Sequence, residues 1–262
     1  MKQRGGDGRL LVWSVAVLSV IVLLMTGYVL LSGEEPEPTA SDRPAAAGTR
    51  APSPASTYAA PKDWSEPLRW AALPRGARTD ALGHEVGFPH RTEGAVAMLV
   101  ASNSSEVKGS HDTADEQLGV YESYLVPADR TETNRAGIEK AARETDAKIH
   151  RSMRLPVGSV LPPGAYARNH VVGFRVVQAS SSEAAVWLLS RVTEKAGETA
   201  AESGAYTCTL AAAQWDGDDW RLSSASAEKA MRRYGSGTRP PIAAPGDAAF
   251  NDSRWTAIRE AS

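Results

Sequence analysis

The side chains in this chain that could do chemistry are few. They are His84, His90, His111, His150 and His170, the aspartates Asp216, Asp218 and Asp219, and a single cysteine, Cys208. A structural or catalytic zinc site draws ligands at short, regular spacings. No two of the histidines stand at H-x-x-H or H-x-x-x-H spacing. His90 follows Pro89 between Gly87 and Gly94, which reads as a hydrogen-bonded loop residue, with metal ligation as the sharper alternative. The aspartates around Gly217 resemble half of a calcium loop but lack its length and its later glutamate, so they read as turn chemistry. Cys208 lies in the apolar run GAYTCTLAAAQW and reads as buried. One cysteine cannot close an internal disulfide, so the fold must hold without one.

Hydrolase and nucleotide signatures are missing. Ser104 lies outside any G-x-S-x-G context, and neither G-x-G-x-x-G nor a Walker sequence occurs. A catalytic pocket needs an acid or a base. The stretches 171–178, 186–193 and 206–214 contain no Asp, Glu or His. Their arginines, Arg175 and Arg191, read as strand residues whose stems lie along the sheet. The sequence therefore assigns no catalytic, cofactor-binding or metal-binding residue, and no cofactor. The alternative is a small-ligand pocket lined by Phe174, Trp187 and Trp215, which otherwise read as core aromatics.

The elements that would position these residues follow from periodicity. Thr92 precedes EGAVAMLVASN, a helix pattern ending near Asn103. Asp112 caps a second helix, DTADEQLGVYESYL, stopped by Pro127. A third helix, capped by Thr133 or Asn134, runs to about His150 with Ile138, Ala142, Thr145 and Ile149 as its apolar stripe. From Leu155 the period changes to that of strands, in YARNHVVGFRVVQASS, EAAVWLLSRVTE, GAYTCTLAAAQW and DWRLSSAS. In the second of these Val186, Leu188, Ser190 and Val192 face one way, and Trp187, Leu189 and Arg191 the other. Asp216-Gly217-Asp218 marks a hairpin.

Upstream of this domain, Leu10 to Leu31 contains no charged residue over twenty-two positions. A helix of that length matches a hydrocarbon core of roughly 30 Å. Lys2, Arg4 and Arg9 precede it and Glu34, Glu35 and Glu37 follow, so the charge bias places the N-terminus inside the cell. The layout is a cytoplasmic N-terminus (1–9), a transmembrane helix (10–31), a Pro/Ala/Ser-rich linker (32–63), an extracytoplasmic domain (64–234) and a flexible tail (235–262). The formal net charge of -2 argues against a dedicated nucleic-acid binder.

The stretch W70-x-x-L-P followed by GHEVGFPHRTEGAVAML (83–99) resembles a block in uncharacterised membrane-anchored proteins of actinobacteria. That block reads G-[FY]-x-H-T-x-x-G-A, and Gly87, Phe88, His90, Gly94 and Ala95 match it. Arg91 stands where the block has Thr, with Thr92 next. The layout is similar to the bitopic scaffold proteins of conjugation and type IV secretion, and AAAQWDGDDWRLSSAS to the last hairpin of their nuclear transport factor 2-like domains. The resemblance covers roughly 64–226 and carries over no functional residue. Helices first and then a meander make an α+β order, with about three helices on a four-stranded antiparallel curved sheet, and the resemblance implies the same cone-shaped fold. It implies a non-catalytic scaffold whose partners are the lipid bilayer, membrane proteins of a transfer or secretion complex, and other copies of itself.

Overall fold

The computed structural model describes residues 64–235, 237 and 239–259. The expected span at 10–31 and the linker lie outside the described residues. Among the described residues no helix is long and apolar enough to cross a membrane.

Three long strands form the centre of the domain: β5 (Ala165–Ala179), β6 (Glu183–Ala196) and β7 (Ser203–Trp215). They pair antiparallel, as the alternating pattern requires, and β8 (Trp220–Leu222) continues the meander. The expected sheet of four antiparallel strands is nevertheless corrected. Three further short strands join: β1 (Trp70–Ala72), β4 (Ser105–Lys108) and β9 (Thr256–Arg259). The result is a mixed sheet of seven strands, ordered β1-β9-β5-β6-β7-β8, with β4 also on β5. β4 and β9 lie one after the other along the same edge of β5, at Tyr166–Asn169 and at Gly173–Phe174. The parallel pair is β1 with β9. Outside this sheet, β2 (Arg78–Thr79) and β3 (Glu85–Val86) form a small hairpin of their own.

Helices cover both faces. On the front lie α1 (Thr92–Asn103), α2 (Thr113–Tyr124) and α3 (Glu132–Ser152). Asp112 caps α2 as its sequence requires, accepting from Asp115 N–H while the Asp115 side chain accepts from Asp112 N–H. The cap of α3 is Thr131, two residues before the expected Thr133. The front core joins Val96, Met98 and Leu99 to Val186, Leu188 and Trp220. The back is covered by α4 (Ser224–Tyr234), α5 (Ala248–Asp252) and Ala243 between them. There Trp187, Leu189, Cys208 and Leu210 pack against Ala230, Ala243, Phe250 and Trp255. The expected layer of three helices on one face is thus corrected to a sandwich with helices on both. Residues 235–262, read as a flexible tail, supply α5, β9 and the fully buried Phe250 and Trp255. Each such aromatic is worth roughly 1.5–3 kcal/mol of burial.

Candidate functional site

The residues set apart by the sequence converge where the β7–β8 turn meets the loop leading into α1. Asp216 makes the turn: its Oδ1 accepts the N–H of Asp218 at 3.1 Å and of Asp219 at 3.0 Å, and Arg221 Nε lies 3.2 Å from its Oδ2. Burial raises the Asp216 carboxyl, but these N–H groups and the guanidinium outweigh it and hold the group below its ordinary value. Asp219 turns inward and is 1% exposed. Its carboxylate accepts Gly87 N–H at 2.5 Å, Phe88 N–H at 2.8 Å and Trp220 N–H at 2.9 Å. Gly87 has φ +78°, a conformation that L side chains rarely adopt, which aims its N–H at the carboxylate. The adjoining Trp220 is fully buried and donates its Nε1–H to Pro89 O at 3.0 Å. Gly94, in the first turn of α1, lies under that same carbonyl: a Cβ there would fall 1.9 Å from Pro89 O.

His90 closes the assembly from outside. Its imidazole stacks on Trp215 with ring centroids 3.9 Å apart and planes 11° apart, and meets the edge of Trp220 at 5.9 Å. His90 Nε2 lies 2.5 Å from Ser181 O in the β5–β6 turn. A carbonyl oxygen only accepts, so Nε2 carries the hydrogen. The block Gly87, Phe88, His90, Gly94 and the turn 216–220 are therefore two halves of one clamp, which ties three loops together.

A second constellation was not singled out by sequence. Asp80 Oδ1 accepts the N–H of Leu82 and His84, both at 2.9 Å, and the Ser123 hydroxyl also reaches this carboxylate. Burial raises Asp80, but the Ser123 hydroxyl and the two N–H groups prevail and its carboxyl lies below the usual range. Ser123 Oγ is also 2.8 Å from His84 Nδ1. The three side chains form one hydrogen-bonded cluster of Asp80, Ser123 and His84. The ring is also packed over α2, where a Cβ on Gly119 would fall 2.7 Å from His84 Cε1. The constellation fastens the β2–β3 hairpin to α2. No signal in sequence spacing could have found it, because residues 80–84 and 123 meet only through the fold.

The other singled-out residues are dispersed. His150 is buried, with Nδ1 2.8 Å from Asp146 O and Nε2 2.7 Å from Ser159 O, which joins α3 to the loop after it. His111 reaches Glu116 at 2.7 Å beside the start of α2. His170 is exposed on β5. Ser104 ends α1 with its hydroxyl on Val100 O. Arg175 reaches Ser253 O, and Arg191 pairs with Glu202. Cys208 is buried on the back face, and that burial pushes its thiol up to about 11.

Phe174 and Trp215 belong to the front of the sheet and Trp187 to the back, so the three aromatics do not line one pocket. A cavity of about 10 Å³ lies beneath α4, and an open depression of about 430 Å³ follows the outer face of α3 along Glu139, Lys140, Arg143 and Glu144. Among the described residues no group of three or more His, Cys, Asp or Glu side chains is placed to hold a metal ion.

Comparison with protein families, with curated proteins and with solved structures finds no significant match to this chain.

Proposed function

We propose that this chain is a non-catalytic, membrane-anchored extracytoplasmic scaffold that acts through protein contacts in a conjugative transfer or secretion assembly. The observation that carries the reading is the clamp. The polar side chains most suited to chemistry, His90 and Asp219, hold loops in place, and His84 and Ser123 fasten a hairpin. An uncharged run of twenty-two residues with a basic leading flank supports the anchor, and the proline-rich linker supports a domain held near the outer face. Confinement near a surface raises the effective concentration of such a domain for neighbours there. The link to transfer machinery rests on the block at 83–99 and on the layout.

Deletion tests the reading directly. Loss of the gene abolishes transfer of the mobile element while growth continues, and cross-linking in the native membrane captures transfer proteins or further copies of this chain. A deletion strain that transfers normally overturns the assembly assignment. A purified domain that turns over a substrate overturns the non-catalytic one.

A further inference from the structure

Residues 64–72 run as a strap along the edge of the domain and leave three large apolar side chains exposed. Pro67 is buried and Ser65 and Ala71 are half-buried, while Trp64, Glu66, Leu68, Arg69, Trp70 and Ala72 are exposed. A half-buried strand normally turns its apolar side chains to the core and its polar ones to water. Here two tryptophans and a leucine are exposed together with Glu66 and Arg69, and Trp64 Nε1–H donates to Glu66. Trp64 is 43% exposed, Leu68 82% and Trp70 39%.

The row is held rigidly. Ser65 N–H donates to Gly246 O at 2.7 Å, and the Trp64 ring lies against Gly246, where an added Cβ would fall 2.3 Å from it. Leu68 N–H donates to Asn251 Oδ1 at 2.8 Å, and the same side chain donates to Ser65 and Glu66. Trp70 pairs with Ala257 in the sheet, and the Arg259 guanidinium sits 5.2 Å above its ring. The exposure is therefore a fixed feature of the fold. Three large apolar side chains exposed within seven residues make a patch of the size that is often functional on monomers.

From this geometry we infer that the strap is a membrane-docking edge, whose tryptophans and Leu68 sit among the headgroups of the bilayer that anchors the chain. The inference rests on the anchoring reading above and adds the surface by which the domain meets the lipid. Three observations favour lipid over protein. Of the three exposed large apolar side chains two are tryptophan, the residue type enriched at headgroup level, and the exposed cations Arg69, Arg254 and Arg259 beside them outnumber the row's one acid, Glu66, for contact with phosphates. The row exposes roughly 300 Å², taking about 150–250 Å² for each such side chain, against about 800 Å² per partner in a stable protein interface. In sequence the row also follows the uncharged run 10–31 after a linker of 32 residues (32–63), which tethers it to the same bilayer.

The test uses the full chain reconstituted into mixed zwitterionic and anionic phospholipid vesicles. An environment-sensitive fluorophore is attached at Leu68→Cys, in a Cys208→Ala background, with Lys140→Cys on the outer face of α3 as reference. The label at 68 shifts to the blue and loses most of its intensity to lipids brominated near the headgroup, and the label at 140 does neither. A chain that floats with the vesicles while the label at 68 reports water overturns the docking edge and leaves the anchor standing. A chain that does not float overturns the anchor, and the docking edge with it. Protection at 68 that brominated lipid cannot quench, and that grows with protein density, makes the occupant another copy and overturns the lipid assignment.

Discussion

The clamp around Asp219 and the strap at 64–72 handle side chains in opposite ways. At the clamp, a carboxylate, an imidazole and two indoles lie within reach of one another, and each is engaged by the protein itself. Along the strap, residue types with no chemistry to offer are held out toward solvent by bonds on their inner side. Reactive residue types are thus a poor guide to function in this molecule. The costly features are the informative ones, and exposed tryptophan beside leucine is costly where a satisfied aspartate is not.

This contrast can be broken at its strongest point first. Asp219→Ala leaves the N–H groups of Gly87, Phe88 and Trp220 without their acceptor, and each buried unpaired group costs about 1–3 kcal/mol. A loss of about 3–5 kcal/mol in urea unfolding is expected; a loss below about 1 kcal/mol means that the clamp is not what holds these loops. Gly94→Ala is next. Alanine gains about 1 kcal/mol over glycine inside a helix, but its Cβ meets Pro89 O, which Trp220 holds in place. The clash wins, with a net destabilisation of about 1–3 kcal/mol as in other overpacked sites. A stabilised G94A protein refutes the close approach.

The pH response of the turn is smaller. The folded pKa of Asp216 lies below the ordinary 3.8, so its contribution is fully present above that value and is lost as pH falls through the folded one. Asp216→Asn removes this component, and the acid limb of the stability curve becomes shallower than that of the unsubstituted chain; an unchanged limb rejects the assignment. The smallest effect belongs to the strap. Leu68→Ser removes an outward side chain that is 82% exposed, and stability stays within about 0.5 kcal/mol in thermal unfolding. A larger loss means that Leu68 is packed, and the contrast between the two regions fails.

The sequence by itself determined the elements whose signal is local. The meander β5 to β8 follows from alternation and from the Asp216-Gly217-Asp218 turn, and α2 from the cap at Asp112. In β6 the two faces divide as read, with Val186 and Leu188 in the front core and Trp187 and Leu189 in the back one. It also marked His90 and the aspartates, but not that Phe88 and Asp219, 131 positions apart, share a hydrogen bond.

Only the tertiary structure decided the rest. β1, β4 and β9 are three or four residues long, and a strand that short exists only where a distant edge accepts it, as Trp70 pairs with Ala257 and Ser105 with Asn169. Ile258, in the stretch read as a flexible tail, lies in a strand for that reason. The helix α4 was hidden because its serine-rich start continues a strand-like run and only Ser226 and Ala230 are buried. The exposure of the strap was equally beyond the sequence: W-S-E-P-L-R-W (64–70) has no period that marks a buried side, and the bonds with Gly246 and Asn251 set it.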